Sequence, residues 1–355
     1  MSDVNDHLDS LVDTDALSEY LATELGDTES FDVSYHDEGH SNEIIFFNWG
    51  DGEYALRRPP SGKTPESAHD VLREYEVLSA LSETAVPVPE TVFACNDHSV
   101  IGSDFFVMQR LDGTVIHNDT GEPSRFAEPE YREQISSELV ETLAKIHDVD
   151  YERIGLGNFG SPEKYLSKQI ALWTNQMEQC FKRSGREIDA LRDTAEWLAD
   201  SIPEPIEPTL VHGDYKLDNV IFSSGTPPEI IGVFDWEMST LGDPLADVGY
   251  MLFNWEHGTD NPAVPELFPQ FTEYEGYPSQ RELVEMYEDA SGRTYRHDRF
   301  YRALAGFKLG TALEAFYARY LEGTTTDSMY PSLEAGIPEL ANRIQRIIDG
   351  KEPLS

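Results

Sequence analysis

The sequence predicts an α+β protein with two lobes, a small N-terminal lobe built on an antiparallel sheet and a larger, mainly helical C-terminal lobe. Short β-like runs separated by turn residues crowd residues 1–111, whereas residues 112–355 carry mainly long segments of helical periodicity. A β-rich island at 209–236 interrupts those helices. The first 111 residues are therefore expected to be one lobe that ends in a hinge, and the rest to be the other lobe.

Turn residues and apolar periodicity place the elements of the N-terminal lobe. Apolar residues at helical spacing predict a first helix at 14–25, which Gly26 ends. The sequence Gly50-Asp51-Gly52 predicts a hairpin between two strands. The predicted strands are 31–35, 43–49, 53–57, 91–94 and 104–109, with a helix at 65–82.

The C-terminal lobe is predicted from six amphipathic segments. Each repeats apolar residues at intervals of three and four, which is typical of helices that bury one face. The predicted helices are 129–147, 162–184, 187–200, 280–290, 297–322 and 334–349.

Composition excludes several classes of protein. The chain has 67 Asp and Glu against 26 Lys and Arg, a formal net charge of −41, and this charge disfavours nucleic acid and anionic membranes as partners. No apolar run is long enough to span a membrane and no secretory signal is visible, so we expect a cytoplasmic protein. Two cysteines, Cys95 and Cys180, form neither a disulfide framework nor a zinc cage. The acid excess is spread along the chain and favours a halophilic protein over a merely acidic one.

The β-rich island carries the strongest functional motif. Asp214 is followed five residues later by Asn219, and Asp235 ends the next apolar run. This spacing is typical of phosphoryl transfer, in which the first Asp receives the proton of the acceptor hydroxyl while the Asn and the second Asp hold Mg²⁺. Amide and carboxylate oxygens are suitable ligands for that ion. Asp214 is therefore the candidate catalytic base, and Asn219 and Asp235 are the candidate metal ligands.

The chain resembles the aminoglycoside phosphotransferase family, within the protein-kinase-like fold, over most of its length. One branch is especially similar, the kinases akin to the phosphotransferase domains fused to acyl-CoA dehydrogenases. The motifs that carry the resemblance are His212-Gly213-Asp214 with Asn219, Asp235-Trp236-Glu237, Gly242-Asp243-Pro244 with Asp247, the stretch 54–60, and Arg73-Glu74-Tyr75.

Residues beside these motifs are expected to support the reaction. Lys216 would reach the moving phosphoryl group, and the alternative is a surface lysine. His212 is interpreted as a structural residue of the catalytic loop, with an acid or base role as the alternative. Glu237 and Asp247 are expected to hold the metal and base loops in place.

The N-terminal lobe is expected to bind the nucleotide, ATP or GTP, with Mg²⁺. Ala55 and Arg57 share one face of a strand, where a small residue would cover the adenine and a cation would meet the phosphates. A helical wheel places Glu74 inside the apolar face of its helix, so we expect it to pair with Arg57, whereas Glu76 lies toward the polar side.

Two further segments complete the expected nucleotide site. Ser41 and Asn42 end a Gly-x-Ser-Asn turn that would contact phosphate, or would be a plain hairpin turn. The resemblance implies a hinge in which Met108 lies behind the purine. Backbone groups of Gln109 and Leu111 would then bind the purine edge.

These features predict a kinase that phosphorylates the hydroxyl of a small molecule, with a nucleotide-binding pseudokinase as the alternative. A protein kinase is disfavoured because no Ala-Pro-Glu-like segment follows Asp235. The branch resemblance favours a hydroxyacyl metabolite or CoA ester as acceptor, with aminoglycosides as the alternative. The oligomeric state stays open. Seven residues after Asp247 are expected to shape the acceptor site: Trp255, Glu256, Tyr274, Tyr277, Lys308, Glu314 and Arg319.

Overall fold

The computed structural model describes residue 8 and residues 11–36, 42–60, 70–118, 120–255, 268–269, 271–323 and 329–355. Its helices are α1 (Thr14–Leu25), α2 (Val71–Leu81), α3 (His98–Ile101), α4 (Pro129–His147), α5 (Tyr165–Ser184), α6 (Asp189–Asp200), α7 (Pro244–Phe253), α8 (Gln280–Ser291), α9 (Asp298–Leu321) and α10 (Leu333–Ile348). Its strands are β1 (Phe31–His36), β2 (Glu43–Trp49), β3 (Gly52–Arg58), β4 (Thr91–Cys95), β5 (Phe105–Gln109), β6 (Gly113–Val115), β7 (Thr209–Val211), β8 (Val220–Ser223), β9 (Ile230–Val233) and β10 (Thr240–Gly242).

The chain divides into two compact units. The first comprises residues 1–113, 154–156 and 231–237, and the second comprises 114–153, 157–230 and 238–355. The first unit therefore receives two short segments from later in the chain. One of these segments carries Asp235.

An antiparallel sheet of five strands, in the order β1-β2-β3-β5-β4, forms the first unit. The predicted hairpin is present between β2 and β3, where Gly50 has φ +61°, a value that favours glycine. Alternate strand residues and the apolar stripe of α1 fill the core behind the sheet, because strand side chains alternate between faces. This core includes Leu17, Leu21, Ile45, Phe47, Leu56, Phe105 and Val107.

Helix α2 begins at Val71, and residues 65–69 of the longer predicted helix lie outside the described residues. The Asp70 side chain caps it by accepting a hydrogen bond from the backbone of Arg73 at 3.0 Å. Glu74 is buried on this helix and Glu76 is exposed, as the helical wheel predicted.

The second unit is built around the long helix α9, which packs against α5, α6, α7 and α10. Small residues allow the close contacts. A Cβ on Gly249 of α7 would lie 2.5 Å from the Tyr301 side chain, and one on Gly306 would lie 2.6 Å from Ile344. Strands β7 and β10 form a separate antiparallel pair, and β7 leads into the loop that carries Asp214. Within the described ranges, no helix has the length and apolar character needed to cross a membrane.

Candidate active site

The segment His212-Gly213-Asp214 leaves strand β7 as a loop that is held from below by one buried carboxylate. Asp247 is 1% exposed, and it accepts hydrogen bonds from the backbone nitrogens of His212 at 2.7 Å and Gly213 at 2.8 Å. Gly213 has φ +84°, and a Cβ there would lie 2.6 Å from the carbonyl oxygen of Met238. Only glycine fits this position. The two hydrogen bonds from the loop backbone give the expected role of Asp247 in holding the loop a geometric basis.

Two further side chains support Asp247. His147 of α4 places its Nε2 3.3 Å from the Asp247 carboxylate, and its Nδ1 lies 2.8 Å from the Tyr287 hydroxyl of α8. Burial raises the pKa of Asp247, but the hydrogen bond and charge of His147 and the contacts of His212 hold it below its usual value. The loop is thus anchored to a carboxyl group whose ionised form is favoured.

Asp214 is positioned by hydrogen bonds within its own loop. Asn219 Nδ2 donates to the Asp214 carboxylate at 2.9 Å and to its carbonyl oxygen at 2.7 Å. The Asp214 backbone N–H donates to Nδ1 of the fully buried His212 at 3.2 Å, which supports the structural interpretation of that histidine. Burial raises the pKa of Asp214, but Lys216 and Lys308 outweigh it and lower the pKa below its ordinary value. The candidate base is therefore ionised.

Lys216 contacts a second acid of the same loop. Its Nζ lies 3.6 Å from Oδ2 of Asp218, which also accepts a hydrogen bond from Asn118 at 3.1 Å. Burial raises the pKa of Asp218, although Lys216 and His117 oppose the rise. Lys216 thus contacts Asp218, and its charge also lowers the pKa of Asp214. The sequence analysis did not identify Asn118 or Asp218.

A pocket in the second unit is lined in part by the loop that carries Asp214. Its floor includes Gly213 and Asp247, and α9 contributes Lys308, whose Nζ donates to the carbonyl oxygen of Gly213. The eleven lining residues are Tyr165, Gln169, Trp173, Gly213, Met238, Ala246, Asp247, Tyr250, Leu304, Ala305 and Lys308. Tyr250 also forms a side-chain hydrogen bond to Asp214. Gly213, the sequence neighbour of the candidate base Asp214, is therefore part of the pocket wall.

The first unit contains a second charged cluster, centred on Arg57. Its Nε lies 2.7 Å from Oε2 of Glu74, so the pair predicted from the helical wheel is present, and its Nη2 lies 2.6 Å from Oδ1 of Asp235. Glu74 is 2% exposed and also accepts a hydrogen bond from the backbone of Trp236 at 3.3 Å. Asp235 adopts φ +63°, a left-handed conformation that is uncommon outside glycine.

The charges of this cluster depend on one another. Burial opposes the charge of Arg57, but Glu74 and Asp235 outweigh it, and the pKa of Arg57 is raised. Burial raises the pKa of Glu74, the charge of Arg57 limits that rise, and Asp235 and Glu237 add to it. One cation therefore compensates several acids, and its removal would leave buried carboxylates without a partner.

Strand register brings the other expected nucleotide-binding residues of this unit together. Ala55 of β3 pairs with Met108 of β5, and both side chains are buried. The backbone N–H of Gln109 is already bonded to the Glu90 carbonyl oxygen at 2.8 Å. Of the two backbone groups of Gln109 that were expected to bind a purine, only the carbonyl group therefore stays a candidate.

The remaining nucleotide-site predictions divide between described and other residues. Asn42 is buried immediately before β2, and with its amide oxygen turned toward Arg57 it accepts from Nη2 at 3.2 Å. Leu111 lies two residues after the end of β5 and is partly buried. Ser41 lies outside the described residues.

The seven residues expected near the acceptor have different environments. Lys308 lines the pocket, whereas Glu314 is 0% exposed, pairs with Arg186 at 2.7 Å and is not among the lining residues. Trp255 is buried and donates from Nε1 to the Pro278 carbonyl oxygen at 2.8 Å. Glu256 lies outside the described residues. Sequence distance alone could not separate a pocket residue from a buried ion pair on the same helix.

Comparisons with known proteins identify the family and the fold of the chain. The family model of the phosphotransferase enzyme family, APH, matches residues 32–301. Mouse acyl-CoA dehydrogenase family member 10 is 34% identical over 317 residues, which is 88% of this chain and 29% of that protein. A crystal structure of a candidate aminoglycoside phosphotransferase from Ralstonia eutropha JMP134 has a TM-score of 0.80 at 29% identity, covering 96% of this chain and 99% of that one.

A more distant solved structure shows the same fold. It is a thermostable mutant of aminoglycoside phosphotransferase APH(4)-Ia in a ternary complex with AMP-PNP and hygromycin B. Its TM-score is 0.58 at 17% identity, covering 94% of this chain and 98% of that one. The curated relatives that we compared are longer proteins, since this chain spans 29% to 41% of their lengths.

The α+β protein-kinase-like fold is that of small-molecule phosphotransferases. The chain belongs to the phosphotransferase enzyme family. The resemblance inferred from the sequence motifs is confirmed, including the similarity to acyl-CoA dehydrogenase family members.

Proposed function

We propose that this protein is a Mg²⁺- and ATP-dependent kinase that transfers the γ-phosphoryl group to a hydroxyl of a small molecule. The observation that carries the proposal is the environment of Asp214. An ionised carboxylate is held by Asn219 beside a pocket that contains Lys308. A structural turn would not need a charged acid kept in position by a neighbouring amide next to a pocket. The retained acid also argues against a pseudokinase.

The donor atoms of the proposed metal ligands fit Mg²⁺. Asn219 uses its amide nitrogen to bind Asp214, which leaves the amide oxygen as its donor toward a metal. Asp235 supplies a carboxylate in a left-handed backbone conformation. A Mg²⁺ ion bound by these two residues would hold the nucleotide phosphates and neutralise the charge that develops during transfer.

We assign the remaining roles residue by residue. Asp214 accepts the proton of the acceptor hydroxyl, and that oxygen forms a bond to the γ-phosphorus while the bond to the β–γ bridging oxygen breaks and ADP leaves. Lys216 stabilises negative charge on the transferred group. Glu74 holds Arg57, which contacts the nucleotide phosphates together with Asn42 and Ser41.

The purine completes the proposed site. Ala55 and Met108 would cover its faces. The carbonyl of Gln109 and the backbone of Leu111 would bind its edge. ATP is the proposed phosphoryl donor, with GTP as the alternative.

The acceptor that we propose is a hydroxyacyl metabolite, either free or as a CoA thioester. The similarity to acyl-CoA dehydrogenase family members supports this class. Aminoglycosides are the second candidate, because the crystal structure from Ralstonia eutropha JMP134 carries that description. Their several positive charges would meet Lys308 in the pocket, which favours the hydroxyacyl class.

An unbiased ADP-release screen tests this function. The full chain is incubated with Mg²⁺ and ATP in molar KCl and offered hydroxy acids, hydroxyacyl-CoA thioesters, sugars and kanamycin-type aminoglycosides. We expect acceptor-dependent ADP release with hydroxyacyl compounds and a phosphorylated product by mass spectrometry. Selective turnover of aminoglycosides would overturn the acceptor, and ATP binding without any transfer would overturn the kinase proposal.

We also propose that the protein works in a salt-rich cytoplasm. Salt should therefore stabilise it strongly. A net charge of −41 causes repulsion that is greatest when ions do not screen it. The melting temperature and activity should rise steeply from dilute buffer to molar KCl, and NaCl should act similarly if screening is the cause. Full stability in dilute buffer would contradict the halophile proposal without affecting the kinase proposal.

A further inference from the structure

Lys308 occupies an unusual position in the pocket beside Asp214. Its Nζ lies 4.9 Å from the ring centre of Tyr250 and 5.6 Å from that of Trp173, and it donates to the carbonyl oxygen of Gly213. Among the described residues that line this pocket, Lys308 is the only cation. The protein thus places its own ammonium group against two aromatic rings. The backbone group that this ammonium contacts belongs to Gly213, the residue before the candidate base Asp214.

Aromatic faces around an ammonium form the type of cage that recognises amine ligands. Here the ammonium of Lys308 fills that position. A substrate amine entering the same pocket would approach a like charge at short range, where the two positive charges repel each other. An oxygen of a carboxyl group would instead be attracted to the ammonium, and would form a charge-assisted hydrogen bond with it.

The acids near the pocket do not reverse this preference. Asp247 is engaged by the backbone nitrogens of His212 and Gly213 and by His147. Asp214 accepts from Asn219 and Tyr250 and is opposed by the charges of Lys216 and Lys308. Burial raises the pKa of Tyr165, another ionisable lining group, so that it stays a neutral phenol.

We propose that Lys308 is a specificity-determining residue that binds a carboxyl-derived oxygen of the acceptor and excludes acceptors that carry an amine in its place. This inference rests on the proposed function, since it concerns the acceptor of the same transfer. A free carboxylate and the carbonyl of a thioester or amide share the required oxygen. The strength of their interaction with an ammonium distinguishes them, because only the carboxylate is charged.

The test uses three probes with the same carbon skeleton and hydroxyl position: 3-hydroxybutyrate, 3-hydroxybutyramide and 4-amino-2-butanol. Binding to the full chain is measured by calorimetry in molar KCl, and phosphorylation is measured separately by ADP release. The variants are Lys308→Met, which keeps the length of the side chain, and Lys308→Arg, which keeps its charge. Lys145→Met, an exposed lysine on α4, is the matched control.

We expect the wild type and Lys145→Met to prefer an oxygen-bearing probe over the amine by at least about 10-fold, an amount expected for one charge-assisted contact. Lys308→Met should lose most of that preference, and Lys308→Arg should retain it. A larger loss for 3-hydroxybutyrate than for 3-hydroxybutyramide identifies the free acid as the ligand, and equal losses identify the thioester or amide type.

Two results would overturn the inference. One is that the wild type binds the three probes with equal affinity or binds none of them. The other is an unchanged preference in Lys308→Met, including the case in which that variant only melts at a lower temperature. A purely structural Lys308 would lower binding of all probes by the same factor. A charge preference in binding without any phosphoryl transfer would contradict the proposed function while leaving the role of Lys308 intact.

Discussion

Replacing Asp214 with asparagine is expected to lower turnover by at least about 100-fold, because a general base contributes about 10²- to 10⁴-fold to proton transfer. Asparagine has the shape of aspartate, and its side-chain oxygen can still accept the hydrogen bond that Asn219 donates at 2.9 Å. The fold of the loop also depends on Asp247 and on Gly213, which the substitution does not alter. The loss should therefore appear in kcat, with nucleotide affinity close to that of the wild type.

The measurement is steady-state turnover with the acceptor found by the ADP-release screen, together with calorimetric binding of Mg–ATP. Asp193→Asn on α6 is the matched control, since it removes one exposed carboxylate and should change neither quantity. Asp235→Asn should behave differently and weaken Mg–nucleotide binding, because it removes a proposed metal ligand. Unchanged turnover in Asp214→Asn would show that another group receives the proton.

Local patterns in the sequence were sufficient for most of the fold. Helix α4 lies at Pro129–His147 and strand β2 at Glu43–Trp49, both as predicted, because long amphipathic runs and a Gly-rich hairpin turn are local signals. Helix α3 and strand β10 were missed. The first is a single turn and the second has three residues, so neither is long enough to show periodicity.

The candidate site was predictable where burying a charged side chain is unfavourable unless an opposite charge compensates it. Glu74 on an apolar helix face required a cation, and the pair with Arg57 is present at 2.7 Å. The contact between Lys308 and Gly213 joins residues that are 95 positions apart, and nothing in the local sequence of α9 indicates it. The same holds for His147, whose contact with Asp247 depends on how α4 packs in the second unit.

The pair of Arg57 and Glu74 should give the largest effect on stability. Removing one partner of a buried ion pair costs about 3–5 kcal/mol of folding free energy, because the other charge stays buried without compensation. Arg57→Met would leave Glu74 near Asp235 and Glu237, both of which already disfavour its ionised form. Glu74→Gln should cost less than Arg57→Met, since Asp235 still contacts Arg57 at 2.6 Å.

A double-mutant cycle isolates the interaction between the two residues. Free energies of unfolding are measured by denaturant titration in molar KCl for the wild type, Arg57→Met, Glu74→Gln and the double variant, and Mg–ATP affinity is measured for each. The double variant should cost less than the sum of the single variants by about 0.5–3 kcal/mol, the range found for residues in contact. Glu76→Gln, two residues along the same helix and exposed, should change stability by no more than about 0.5 kcal/mol.

Strict additivity would mean that Arg57 and Glu74 do not interact in solution. A cycle that is coupled in stability, but with Mg–ATP affinity unchanged in every variant, would restrict the pair to a structural role and remove Arg57 from the nucleotide site.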